Sequence, residues 1–467
     1  MKSKYSRLIG DIGIFAIGAL GSKLVLFLLL PIYTNVLTEA EYGIADLVFS
    51  IGELILPIVS IAIFNGLLRY GLIEGKREAS LLISTIIFFL GSITTIIITP
   101  AFSLYKPISA WKWFLCASVI ISFARSNSLV YLKVKDKNKT FSILSIAQAL
   151  LLVGLNVVFL IVFKWGIKGY LLSNMFSNLA LAGCACVFGN IWTDLSTATY
   201  DRKLMREMVL YSIPFVVNDI SWWIIHSSDK IMIEWMIGGA MLGIYTAASK
   251  IPSMINAITA IFAQAWGLAS AKEFDSSNDD SFYSTVFQYY VDIIFGITIC
   301  ISSIIRPFMN IYVGSAFKQS WHYVPLLLTA AAFAAISTFA VGLYGASKKS
   351  RDIMTTSLVS GVVNVIVNYL FIKIVGIWGA VIGTVVAYFL LAMLRLIGVK
   401  RVIRIKYDYF KIASLSIICL IQAIIIGLDF HILVVSTITI IAYLFVIRKD
   451  IKPMFLFAKR LISRRIH

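Results

Sequence analysis

Four basic side chains stand in stretches that are otherwise apolar enough to lie within a lipid bilayer: Lys23, Arg125, Lys230 and Lys250. Lys23 falls in the middle of GALGSKLVLFLLLPIY, residues 18–33, and a lysine at the bilayer centre costs roughly 2.5 to 3.5 kcal/mol on insertion scales. Charges so placed face a bundle interior, pair with each other or line a pathway. For Lys23, too deep to snorkel easily, a cavity-lining role competes with an ion pair to a carboxylate such as Glu53 or Asp219. Arg125 lies in the cytoplasmic half of its span, where it can line a cavity or snorkel. Lys250, in YTAASKIPSMINAI, comes two residues before Pro252. A proline leaves the carbonyl four residues upstream without its donor and bends the helix, commonly beside a cavity. Buried ammonium groups ask for an anion, and lysine meets phosphate as a point charge. Lys23, Lys250 and Arg125 are therefore the candidate substrate-binding residues.

The acids form a second set. Asp46 and Glu53 are seven residues apart, two turns on one helical face, with Ser50 between them. Two carboxylates on one face of a membrane helix suit a proton relay or a cation site, although Asp46 is also close to the predicted external interface. In NDISWWIIHSSDKIMIEW, Asp219 and His226 recur at the same spacing, a carboxylate and an imidazole on one stripe. His226 can equally be a hydrogen-bonded packing residue. Asp46, Glu53, Asp219 and His226 are the candidate ion-coupling residues. Lys230 and Glu234, four apart, are expected to form a surface ion pair. The five cysteines (Cys116, Cys184, Cys186, Cys300 and Cys419) form no CxxC and join no histidine cluster. They read as packing residues, and neither a metal nor a cofactor is expected.

What must hold these groups is a set of membrane helices. The 467 residues are 60% hydrophobic and 14% charged, against roughly half and a quarter in soluble domains. Strand-period alternation is absent, which excludes a barrel. Apolar runs between polar breaks predict fourteen helices, at 8–34, 43–68, 80–103, 109–132, 141–163, 168–190, 208–237, 241–269, 282–307, 321–345, 354–374, 377–397, 409–427 and 430–447. The first run is too long for a signal-peptide core and is read as a retained helix. A net charge of +18 would suggest nucleic acid in a soluble chain. Placed by segment it is topology instead: with the N-terminus inside, 30 of the 41 Lys and Arg fall in cytoplasmic segments and seven in external ones. Both termini are predicted to be cytoplasmic, and no nucleic-acid partner is expected. The short connections leave no room for a soluble catalytic domain, so the chain is not expected to be an enzyme.

Two paired motifs suggest an internal repeat. AEYGIADLVFSI (40–51) lies over AMLGIYTAASKI (240–251), aligning Gly43 with Gly243; FKWGIKGYLLS (163–173) lies over KIVGIWGAVIG (373–383), aligning Gly166 with Gly376. The expected organisation is an N-terminal lobe at 1–190, a cytoplasmic linker at 191–207, a C-terminal lobe at 208–400, a helix pair at 401–447 and a basic cytoplasmic tail at 448–467. Pro31, Pro57, Pro214, Pro252 and Pro325 fall in spans, which predicts bends in the first, second, seventh and eighth helices. Parallel repeats of this kind are a transporter architecture with alternating access.

The opening stretch, with LLPIYTNVLTEAEYGIADL as its core (residues 29–47), resembles the N-terminal signature of bacterial Wzx-type polysaccharide flippases, and GIYTAASKIPSMI (243–255) resembles the second repeat of that family. They belong to the multidrug/oligosaccharidyl-lipid/polysaccharide exporter superfamily. The resemblance implies a MATE-like all-α fold in the bacterial inner membrane. It implies transport of an undecaprenyl-pyrophosphate-linked oligosaccharide, such as an O-antigen repeat unit, coupled to H+ or Na+. Lys23 and Lys250 match the family's basic cavity residues in place and charge. Membrane lipids, a polysaccharide polymerase and other proteins of the assembly pathway are the implied partners. A MATE-type drug antiporter is the rival on the same fold, and central lysines disfavour it. A membrane polymerase or ligase is disfavoured by the lack of a long external loop.

Overall fold

The computed structural model describes residues 27–276, 280–346, 350–401, 403 and 405–466. These are helical throughout, with no strand among the described residues. The first half comprises α1 (Phe27–Val36), α2 (Glu39–Ser60), α3 (Ile63–Gly71), α4 (Arg77–Ile98), α5 (Lys106–Ser109), α6 (Lys112–Val134), α7 (Asn138–Asn156), α8 (Gly166–Gly189), α9 (Ile191–Thr197) and α10 (Arg202–Met236). There follow α11 (Gly239–Lys250), α12 (Pro252–Ser276), α13 (Asp280–Tyr312), α14 (Val324–Ala346), α15 (Ser350–Val375), α16 (Ile377–Val399), α17 (Tyr409–Gly427) and α18 (Ile432–Ile466). Twelve helices among the described residues are long and apolar enough to cross a membrane, which makes the chain a multi-pass membrane protein. Their outward faces expose large apolar side chains such as Ile97, Val187 and Leu433, as an apolar surround requires.

The difference from fourteen has two sources. Most of the first predicted helix precedes Phe27 and lies outside the described residues. The eighth is divided at Ile251, which leaves α11 and α12 on either side of the break. Pro252 is the cause, because it has no N–H to continue the helical ladder. The second predicted helix is also interrupted. Pro57 lies inside α2, and Ile61 (φ 52°) and Ala62 (φ 48°) then adopt left-handed backbone before α3 begins. The Ala62 N–H donates to the Pro57 carbonyl at 3.2 Å and to Ser60 Oγ at 3.1 Å, so the break keeps its hydrogen bonds. By contrast, α10 runs through Pro214 as one 35-residue helix.

Two compact units divide the chain, Met1–Thr246 and Ala247–His467. In the first, α8 packs on α6 and α7, α2 packs on α6, and α10 crosses α2 and α3. A Thr38–Glu41 capping box starts α2: Glu41 N–H donates to Thr38 Oγ1 and Thr38 N–H to Glu41 Oε2, satisfying two of the donors that a helix start leaves over. Gly43 and Gly243, paired by the repeat, meet each other where α2 and α11 cross, and a methyl at Gly243 would collide with the Glu39 carbonyl. Both glycines of the second aligned pair have positive φ, Gly166 at 55° and Gly376 at 60°, at or just before a helix start, a range open to glycine at little cost.

In the second unit α14 packs on α12, α13, α16 and α17. Two residues counted by the charge pattern among cytoplasmic positives turn out to be interior. Arg395 is 0% exposed within α16 and donates to Ser357 Oγ at 2.9 Å and to the Ser337 carbonyl at 3.3 Å. Lys411, at the start of α17, is held by Asp292 Oδ2 at 2.7 Å and Asp450 Oδ2 at 2.8 Å. Partners from other helices explain both, since a buried charge persists only when paired or hydrogen-bonded.

Candidate functional site

Within the first unit, α2, α6, α7 and α8 line a cavity of about 460 Å³. Glu53 projects into it from α2, and its side chain is exposed there. Arg125 enters from α6, where its Nη1 donates to Asn178 Oδ1 of α8 at 3.2 Å. Its Nε is buried with no hydrogen-bond partner among the described residues. Apart from Asp46, the rest of the polar lining includes the uncharged Ser118 and Ser122 on α6, Ser145 and Gln148 on α7, and Asn174 and Asn178 on α8. Two asparagine amides are committed to the backbone of α8: Asn178 Nδ2 donates to the Asn174 carbonyl at 2.8 Å and Asn174 Nδ2 to the Tyr170 carbonyl at 3.0 Å. Phe49 and Tyr170 close one wall, edge to face with centroids 5.8 Å apart. Pro57 can donate nothing to the Glu53 carbonyl four residues earlier, so α2 is weakened at the residue that carries the carboxylate.

Asp46, two turns along α2 from Glu53, also borders this cavity but has a fixed partner. Lys230 of α10 places its Nζ 2.7 Å from Asp46 Oδ2 and 3.0 Å from Ser50 Oγ. Trp223 Nε1–H reinforces the crossing by donating to the Ser50 carbonyl at 2.6 Å. Asp229, the neighbour of Lys230, is 3% exposed and accepts from the Tyr245 hydroxyl of α11. The expected surface pair of Lys230 with Glu234 is therefore not formed. Glu234 instead accepts a hydrogen bond from Tyr105. An exposed pair one turn apart gains only a few tenths of a kcal/mol, whereas an unpaired Asp46 between packed helices would be far more unfavourable.

The remaining candidates are dispersed. Asp219 is half-buried on α10 and accepts from Asn218 Nδ2 at 3.3 Å; His226 stacks on Trp222, its centroid 5.4 Å away with 14° between the ring planes. Neither lines the cavity that holds Glu53 and Arg125. Lys250 is half-buried at the last residue of α11, against the break at Ile251, and its carbonyl accepts from Ser253 Oγ at 2.6 Å. Lys23 lies outside the described residues. Asn174, Asn178 and Gln148 carry no charge and were not among the expected site residues, although the spacing of Asn174 and Asn178 puts two amides on one face of a membrane helix.

A family model described as polysaccharide biosynthesis protein matches residues 8–267, over half of the chain. The chain belongs to this family. Among solved structures it is similar to the lipid II flippase MurJ in an inward closed conformation, with a TM-score of 0.69 and 14% identity over 94% of this chain and 99% of that one. It is also similar to an inward-facing multidrug resistance MATE family transporter of the MOP superfamily, with a TM-score of 0.64 and 15% identity over 86% of this chain and 95% of that one. Identities this low establish a shared fold and leave substrate open. Comparison with the curated proteins finds no match. Membership of the polysaccharide biosynthesis family and the MurJ-like, MATE-like fold agree with the resemblance seen in the opening sequence.

Proposed function

We propose that this chain is a flippase that moves undecaprenyl-pyrophosphate-linked oligosaccharide repeat units from the cytoplasmic to the outer leaflet of the bacterial inner membrane. It works by alternating access, with both termini in the cytoplasm, and supplies surface polysaccharide synthesis. The observation that carries this reading is a guanidinium, Arg125, held inside a membrane span beside a polar cavity of about 460 Å³, in a chain of the polysaccharide biosynthesis family. Lys23 and Lys250 are assigned to the pyrophosphate together with Arg125, since cations in a low-dielectric setting meet a phosphate strongly. Glu53, exposed to the same cavity as Arg125, is the leading group for a coupling H+ or Na+. Asp46, Asp219 and His226 are secondary candidates, and Asp46 can act only together with Lys230.

Complementation tests the reading. In a strain lacking its own flippase, the wild-type chain restores surface glycan; Lys23→Ala, Lys250→Ala and Arg125→Ala lose it while inserting normally; Lys23→Arg retains it. Normal export by every alanine variant overturns the cationic mechanism, and failure of the wild type overturns the function. A cation-coupled drug antiporter is the second reading, favoured by the carboxylate at Glu53. It predicts Glu53-dependent drug resistance in cells with no change in surface glycan.

A further inference from the structure

The cavity of α2, α6, α7 and α8 has a size and a hydrogen-bonding character that narrow what it can hold. Among the described residues three ionisable groups border it, Asp46, Glu53 and Arg125. Lys230 pairs with Asp46 at 2.7 Å, which leaves one carboxylate and one guanidinium, of opposite sign, in the described lining. The volume of about 460 Å³ corresponds to roughly fifteen waters at ~30 Å³ each, far more than one ion needs and within the ~300 to 1,000 Å³ of pockets that bury small organic ligands.

The uncharged polar lining both accepts and donates. Ser118 and Ser145 spend their hydroxyl protons on the carbonyls of Leu115 and Phe141, each at 2.8 Å, which leaves lone pairs. Asn174 has given one amide N–H to the Tyr170 carbonyl, so its side-chain oxygen and its second N–H remain. Gln148 Nε2 is directed at Ser177 Oγ at 3.4 Å, which likewise leaves its carbonyl and one N–H. Arg125 adds a further donor, its Nε being buried and without a partner among the described residues. The complementary ligand donates and accepts several hydrogen bonds and carries an apolar face for the Phe49 and Tyr170 wall. A pyranose ring has these properties: hydroxyls around its rim, ring and glycosidic oxygens, and C–H faces that pack on aromatic rings.

We propose that this cavity is a carbohydrate subsite that takes one uncharged sugar of the translocated glycolipid, within the lobe that carries α2, α6, α7 and α8. The inference rests on the flippase reading and adds to it a place where a sugar is recognised alongside the pyrophosphate.

The test uses the full-length chain in nanodiscs and two probes. One is total lipid-linked oligosaccharide extracted from cells deleted for this gene, where the native cargo accumulates; the other is undecaprenyl pyrophosphate alone. The wild type binds the sugar-bearing lipid at least about tenfold more tightly, the worth of one or two hydrogen bonds. Gln148→Leu and Asn174→Leu abolish that difference and leave binding of the bare lipid unchanged. Ser122→Ala with Ser145→Ala, a milder pair that keeps the helix packing, reduces the difference if the leucine variants fold poorly. A sugar preference that survives in all of these variants overturns the subsite while the flippase reading stands. So does equal binding of both lipids by the wild type. Binding of neither lipid overturns both.

Discussion

Asp46 and Glu53 share one face of one helix, two turns apart, and they end in different chemistry. Asp46 is 6% exposed and tied to Lys230, Ser50 and, through the backbone of α2, Trp223. Glu53 is exposed to a cavity whose lining mixes amides, hydroxyls and a guanidinium with apolar side chains such as Leu56, Val119 and Leu152. Spacing along α2 is the same for both; what crosses α2 at each level is not. Where α10 and α11 press in, beside the close approach of Gly43 and Gly243, Lys230 reaches Asp46 and pairs with it. Where α6, α7 and α8 stand off, the carboxylate faces a polar void. A charge in a membrane helix becomes part of a clamp or part of a site according to its neighbours on other helices.

The largest effect is expected at the clamp. Lys230→Met leaves Asp46 buried without its counter-charge and should destabilise the protein by about 3 to 5 kcal/mol, read as a fall in the unfolding midpoint in detergent. The double variant Asp46→Asn/Lys230→Met should recover most of that loss, because a neutral pair no longer needs compensation; no recovery would mean that Lys230 acts through packing alone. The crossing itself is tested next. Gly243→Ala forces a methyl against the Glu39 carbonyl and should cost about 1 to 3 kcal/mol. Gly154→Ala, in α7 with nothing near its position, should be neutral or stabilising by up to about 1 kcal/mol. At the cavity the comparison inverts: Glu53→Gln should change stability by no more than about 0.5 kcal/mol yet abolish glycan export in complementation.

The smallest effect belongs to a third carboxylate, Asp194 in α9, outside the spanning helices. Burial acts to raise its pKa, but hydrogen bonds from Lys135 and Tyr131 and the charges of Lys135 and Arg77 outweigh that and hold it below the usual carboxylate value. A depressed folded pKa gives stability that is present above the unfolded value of about 3.9 and is lost as pH falls through the folded value. Asp194→Asn should therefore flatten the fall in unfolding midpoint below about pH 4, with the clamp and the cavity unaffected.

The spanning helices were legible because apolar runs of the right length have few other uses, and Pro252 marked a real break. The start of α2 was read four residues late, at 43, because its first turn is polar, although TEAE carries the threonine and glutamate of its capping box. The partner of Lys230 was not legible. Helical spacing pointed to Glu234, four residues on, while the true partner lies 184 positions away in sequence, where only tertiary packing could bring it. Arg395 misled for a related reason: a terminal position in its helix looks aqueous until two neighbouring helices supply serines to meet it. Asn174, Asn178 and Gln148 escaped notice because an uncharged amide raises no alarm in an apolar stretch, although it too must find a partner there.

Between Ser60 and Ile63 the second membrane segment is cut, and Ile61, a β-branched residue, is held at φ 52°, a geometry that stores roughly 1 to 3 kcal/mol. A continuous helix would carry any tilt of α3 straight up to Glu53 and Asp46. Across this joint the axis of α3 is set separately from that of α2: α3 takes its direction from α4, α6 and α10, while α2 is anchored through Lys230.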